Sequence, residues 1–172
     1  MMQMLKAGGM ELLADSSRPP DPDNPRGYFE YGPVKRLRRD ASCFDAATGK
    51  AVKVIHALVT AIPCDRDVRV ILMRRDLAEV VASQRRMLAR RWGSTDVMSE
   101  ERLVEIFGSQ LRDATHWLAA QPRFSLLEVE FADLLEEPLP VARDVAAFIG
   151  GELDCEAMAA QVDRGLRRSQ PD

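Results

Sequence analysis

A chain of 172 residues is long enough for one domain with a full hydrophobic core. Apolar residues make up 46% and charged residues 30%, the balance of a folded globular protein rather than a disordered one. The formal net charge of −3 argues against the strongly basic surface of a nucleic-acid binder, and no apolar run approaches the roughly 20 residues of a membrane span.

Cys43, Cys64 and Cys155 are odd in number and widely spaced, with no C-x-x-C pair or His/Cys cluster beside them. The expectation is three reduced thiols in a cytoplasmic protein, with neither a disulfide framework nor a metal site. Lys6, Glu11 and the Gly8-Gly9 pair interrupt the apolar N-terminal run, so it does not read as a signal peptide.

In chain order, Met1 to Ala7 reads as the tail of a helix that Gly8-Gly9 ends, and Met10 to Ala14 as a short strand. Asp15 to Pro33 holds five prolines and two glycines, which cannot sustain a helix or a ladder, so it reads as a long loop. Long loops inside compact domains are often functional. Ala51 to Ile55 and Val68 to Met73 are apolar, β-branched runs expected as buried strands. Asp76-Leu-Ala-Glu79 has the form of a capping box, and the apolar spacing from Leu77 to Trp92 predicts a helix. Ser99 caps a second helix, with Glu100 and Glu101 in its first turn and an apolar stripe from Leu103 to Leu118. Phe124 to Phe131 is a third strand, and 132–137, 141–149 and 156–162 are shorter helical pieces. Strand–helix alternation predicts a three-layer α/β/α fold around a parallel sheet, as a single domain over 1–172.

In such sheets ligands bind at the carboxyl ends of the strands, beside the N-termini of the following helices. That rule selects the segment from Val70 to Ser83. Arg74 and Arg75 lie on the turn after the strand, and Ser83 lies two turns into the helix. Guanidinium donors beside the positive end of a helix dipole suit a phosphate. On the residues alone, a solvated turn remains an equal reading.

Arg75, Glu79 and Ser83 match the R-x-x-x-[DE]-x-x-x-S pattern of PAPS-dependent sulfotransferases. Leu127-Glu-Val-Glu-Phe-Ala-Asp-Leu-Leu-Glu-Glu-Pro138, followed by Val145-Ala-Ala-Phe-Ile-Gly150, is similar to a second stretch of that family. Asp23-Asn-Pro-Arg-Gly-Tyr-Phe-Glu30 resembles the N-P-x-G-[FY]-[FY]-E loop of bacterial sulfotransferase-like proteins. The resemblance implies a P-loop nucleotide-binding type of fold and transfer of a sulfonate group from PAPS to a hydroxyl or amine acceptor. It implies that Arg75 and Ser83 hold the donor's 3′-phosphate, with Arg74 beside them. It also implies that the family's glycine-rich phosphosulfate loop and first strand are missing, since Met1 to Leu5 resembles the helix that follows them.

His56 is placed like the family's general base, although Lys53-Val-Ile-His56 departs from the Lys-Thr-His triplet. A titration near neutral pH suits that role, and so does a structural role at a strand end. Glu30 is the rival base, and burial would have to raise its pKa for it to serve. Lys53 within an apolar strand calls for a sheet edge or an anion, because an unpaired buried lysine is costly. Arg85, Arg86, Arg90 and Arg91 read mainly as a solvated helix face, and Arg167 in the tail is similar to a basic tail that finishes the 3′-phosphate site in some relatives. The acceptor is expected to be a small molecule or a carbohydrate. Two alternatives stand beside the enzyme: a non-catalytic remnant that binds PAP or a protein, and a small-molecule kinase of related fold. The kinase reading lacks a G-x-x-x-x-G-K-[ST] loop in this chain.

Overall fold

The computed structural model describes residues 1–15, 18–21, 24–92 and 98–163, with the backbone alone at 90–92. Its four strands form two parallel pairs. The short pair is β1 (Leu12–Leu13) with β2 (Ala51–Val52). The long pair is β3 (Val68–Arg74) with β4 (Phe124–Glu130), in register from Val68 opposite Phe124 to Arg74 opposite Glu130. The crossover between β3 and β4 carries α2 (Leu77–Trp92) and α3 (Glu100–Ala119). Helix α1 (Met2–Ala7) precedes the strands, and α4 (Phe131–Glu136), α5 (Pro138–Ile149) and α6 (Cys155–Ala159) follow them.

Alternation along β3 and β4 sends apolar side chains to both sides of the sheet. Ile71, Met73, Leu127 and Val129 pack on one side, with Met4 and Leu5 of α1, Ala142 and Val145 of α5, and Met158 of α6. Val70, Phe124 and Leu126 pack on the other, with Ala114, Trp117 and Leu118 of α3. Apolar contacts thus cover both faces of each strand, while Arg69 on β3 and Ser125, Glu128 and Glu130 on β4 stay exposed. The result is helices, sheet, helices: the expected mixed α/β layering.

Local chemistry sets the helix starts. Asp76 Oδ1 accepts from the Glu79 amide at 2.9 Å, which opens α2. Ser99 Oγ accepts from the Arg102 amide at 3.3 Å, which opens α3. Replacing Ser99 by alanine is expected to lower stability by about 1 kcal/mol, read as a shift in the urea midpoint with an unchanged slope.

Two expectations are revised. The strand at 51–55 is only Ala51–Val52, because its partner β1 is two residues long and no ladder continues beyond Leu13 among the described residues. Ile55 is 57% exposed, so the end of that run is not buried. The chain between β1 and β3 also contains three 3-10 helices, Gly32–Arg36, Ser42–Ala46 and His56–Ala61, none of them where an element was expected. They contribute Val34, Phe44 and Val59 to the core.

Candidate functional site

The carboxyl end of β3 delivers Arg74 and Arg75 to the turn before α2. Arg75 Nε lies 3.4 Å from Glu79 Oε2, one helical turn away. Its guanidinium carbon sits 4.8 Å from the centroid of Phe131, the first residue of α4 at the end of β4. A carboxylate on one edge and an aromatic face below hold the guanidinium plane, and the side chain remains about 30% exposed. Its two terminal nitrogens donate to no group among the described residues. Arg74, by contrast, is turned toward Glu128 of β4, with Nε 3.4 Å from Oε2.

Ser83 is exposed on α2. Glu79, Ser83 and Met87 follow at four-residue intervals and share one helical face. The structure therefore brings Arg75, Glu79 and Ser83 to one end and one face of the same strand–helix unit. Arg85 is engaged elsewhere, pairing with Glu100 at 3.6 Å and donating to the Met98 carbonyl, which ties α2 to the start of α3. The side chains of Arg90 and Arg91, and Arg167 in the tail, lie outside the described residues.

Glu30 belongs to a second constellation, at the end of the proline-rich loop. Arg18 Nη1 donates to its Oε1 at 3.1 Å, and Lys35 Nζ lies 3.2 Å from its Oε2. The Arg18 guanidinium stacks on the Tyr28 ring, 3.3 Å from its centroid, and Lys53 Nζ donates to the Tyr28 carbonyl at 3.1 Å. The Tyr28 hydroxyl donates to Asp21, 2.7 and 2.8 Å from its two carboxylate oxygens. Arg18 Nη2 also reaches Met87 Sδ at 3.8 Å, so this cluster abuts the α2 face that carries Ser83. Phe29 adopts φ of 50°, a left-handed conformation unusual for a non-glycine residue. Strain of this kind persists where surrounding contacts impose the shape.

The electrostatics of Glu30 run opposite to what a neutral-pH base requires. Burial pushes its carboxyl up, but hydrogen bonds from Lys35 and Arg18 and the charges of Lys35 and Lys53 outweigh it and hold the pKa below the ordinary value. Lys53 is shifted down by burial, opposed by the Glu30 charge and reinforced by Arg18. A carboxyl with a lowered folded-state pKa contributes stability above its unfolded value of about 4.5, and that stability is lost as pH falls through the lower folded value. Urea unfolding of Glu30→Gln is expected to show a shallower fall in stability below pH 4.5 than the wild type. Parallel pH profiles would mean that the ion pairs contribute nothing.

His56 opens the third 3-10 helix and meets neither of these groups. Its Nε2 lies 3.0 Å from Gln110 Oε1, and its ring packs edge-on to Phe107 at 6.0 Å, both on α3. Nδ1 has no partner among the described residues.

Sequence reasoning missed Arg18, Lys35 and Phe131 as site residues. Phe131 was legible as part of the strand-end motif, but its partnership with Arg75 crosses 56 positions of sequence. Arg18 and Lys35 carry no periodic or motif signal; only their meeting at Glu30 marks them.

No curated protein and no solved structure matches the chain. The model of the sulfotransferase domain family matches residues 51–167, about two thirds of the chain, from β2 past α6. The matched region contains Lys53, His56, Arg75 and Ser83, whereas Arg18 and Glu30 precede it. With that match lying over the strand, turn and helix that present Arg75 and Ser83, the chain belongs to the sulfotransferase domain family.

Proposed function

We propose that this sulfonyl-transfer domain uses PAPS as its donor and a hydroxyl or amine as acceptor, with the donor's 3′-phosphate held by Arg75 and Ser83. The observation that carries the reading is Arg75 itself. It stands at the carboxyl end of a parallel strand packed on both faces, fixed through Nε and its ring platform, with the terminal nitrogens left to a ligand. A guanidinium presents two parallel donors that match two phosphate oxygens, and the N-terminus of a helix adds favourable potential. Ser83 offers one hydroxyl from the same helix. Arg74 contributes charge, since Glu128 already holds its Nε.

When bound, PAPS would supply a sulfonate whose sulfur the acceptor oxygen or nitrogen attacks in line, with the bond from sulfur to the donor's phosphate oxygen breaking, PAP leaving and the acceptor's proton passing to a base. Catalysis of such transfers is chiefly positioning and neutralisation of a spread negative charge. Of the two candidate bases, His56 is favoured: its Nδ1 has no partner among the described residues, whereas Glu30 is stabilised as a carboxylate by two direct cations. Glu30 then serves to set Arg18 and Lys35 in place.

Calorimetric titration with PAP beside adenosine 5′-monophosphate, which lacks the 3′-phosphate, tests the donor site. One charged phosphate contact is worth about 1.5–3 kcal/mol, so PAP is expected to bind roughly 10- to 150-fold more tightly. Ser83→Ala should lose about 1 kcal/mol of PAP affinity and leave the monophosphate unaffected. Equal affinity for the two nucleotides would remove the 3′-phosphate assignment.

A further inference from the structure

The charges around Tyr28 are not balanced within their own cluster. Three cations, Arg18, Lys35 and Lys53, stand against two carboxylates among the described residues, Glu30 and the Asp21 that accepts from the Tyr28 hydroxyl. Arg18 Nε is buried and donates to nothing among the described residues. An unsatisfied buried donor costs on the order of 1–3 kcal/mol, more when charged. Lys53 is only partly exposed, and its sole hydrogen bond among the described residues is to a neutral carbonyl, that of Tyr28. Both cations approach the same ring: Arg18 stacks on it and Lys53 Nζ lies 6.0 Å from its centroid. Two like charges held near each other, one with a buried donor left over, are stabilised by an added oxyanion.

The position of the cluster says which molecule brings that oxyanion. Arg18 touches Met87, one turn beyond Ser83 on the same face of α2, so the cluster lies alongside the proposed donor site and is a separate set of residues from it. It is built by the loop before β2, with the left-handed Phe29 shaping the turn into Glu30. We infer that Arg18 and Lys53, both held against Tyr28, form a subsite for an acidic group of the acceptor, so that the preferred acceptors carry a carboxylate, sulfate or phosphate besides the group to be modified. Calling its bearer the acceptor rests on the sulfotransferase reading; the anion subsite itself stands on the cluster.

The test uses the full chain saturated with PAP and two hydroxyl-bearing probes, D-glucuronate and D-glucose, which differ by one carboxylate. Ligand-observed NMR is expected to show glucuronate bound at least about 10-fold more tightly than glucose. Raising salt from roughly 50 to 500 mM should erode that preference, because a partly exposed ion pair is screened. Arg18→Met and Lys53→Met should each cost about 10-fold in glucuronate affinity while PAP affinity stays within about 2-fold. Arg18→Lys, which keeps the charge, should retain a part. Equal or absent binding of the two sugars by the wild type overturns the inference, and that comparison needs no variant to fold. If Arg18→Met and Lys53→Met weaken PAP as much as glucuronate, the oxyanion is the donor's own, and the acceptor subsite falls while the PAPS reading stands. If glucuronate binds but PAP does not, the subsite stands and the donor reading falls.

Discussion

Arg75→Ala is expected to lower PAP affinity by about 100-fold, close to 2.7 kcal/mol, and to reduce the discrimination against adenosine 5′-monophosphate to within a few-fold. The size follows from what one truncation removes. The fork of donors at the phosphate goes, and Glu79 is left facing that phosphate without the cation that neutralises it. Arg75→Lys should restore only a fraction. A lysine ammonium is a point charge that cannot donate two parallel bonds, and it loses the flat stacking on Phe131. Unfolding midpoints separate this effect from loss of structure: the Arg75–Glu79 pair is about 30% and 21% exposed and spans i,i+4, so its removal should cost well under about 1 kcal/mol of stability. A folded Arg75→Ala protein that binds PAP as tightly as the wild type would place the 3′-phosphate elsewhere.

The largest effect on stability is expected at Met158. Its side chain is 0% exposed in the core shared by α1, α5 and α6, beneath the face of the sheet formed by Ile71, Met73, Leu127 and Val129. Met158→Ala should destabilise by about 2–5 kcal/mol, lowering the melting temperature by roughly 10 °C. Gly8 is the other half of this contact. A Cβ there would lie 2.6 Å from Met158 Cγ and 2.8 Å from its Sδ, although the Gly8 backbone, at φ −73°, would accept any residue. Gly8→Ala is therefore expected to cost about 1–3 kcal/mol through overpacking alone. In the Met158→Ala background most of that cost should vanish, because the alanine leaves the space the new methyl needs. Additive costs in the double-mutant cycle would show that Gly8 serves the backbone rather than the contact.

Elements whose signals are local are legible in the sequence alone. Val68–Arg74 announces itself because a parallel strand covered on both faces carries a nearly continuous apolar run, and Phe124–Glu130 is legible despite the exposed Ser125, Glu128 and Glu130 within it. Helices α2 and α3 are legible from caps at Asp76 and Ser99 followed by apolar residues at helical spacing. Arg75 and Ser83 are singled out as candidates by a strand end, the helix behind it and the eight-residue interval of the sulfotransferase pattern. The run at Ala51–Ile55 misleads for a related reason: its composition suits a strand, but a ladder also needs a partner, and β1 supplies only two residues.

What the sequence by itself determined, then, is the helix caps and the strand–helix unit carrying Arg75 and Ser83, whose signals lie within a few turns of one another, and the strand–helix alternation that implies the layering. Only the tertiary structure decided the chemistry around Glu30. Its carboxylate meets Arg18 from 12 positions away, Lys53 reaches Tyr28 across 25, and Arg18 reaches Met87 across 69. Loop residues carry no periodicity that encodes such meetings. The sign of the Glu30 shift was undecidable for the same reason: burial raises a carboxyl pKa and neighbouring cations lower it, and which wins depends on how many cations the fold brings within reach.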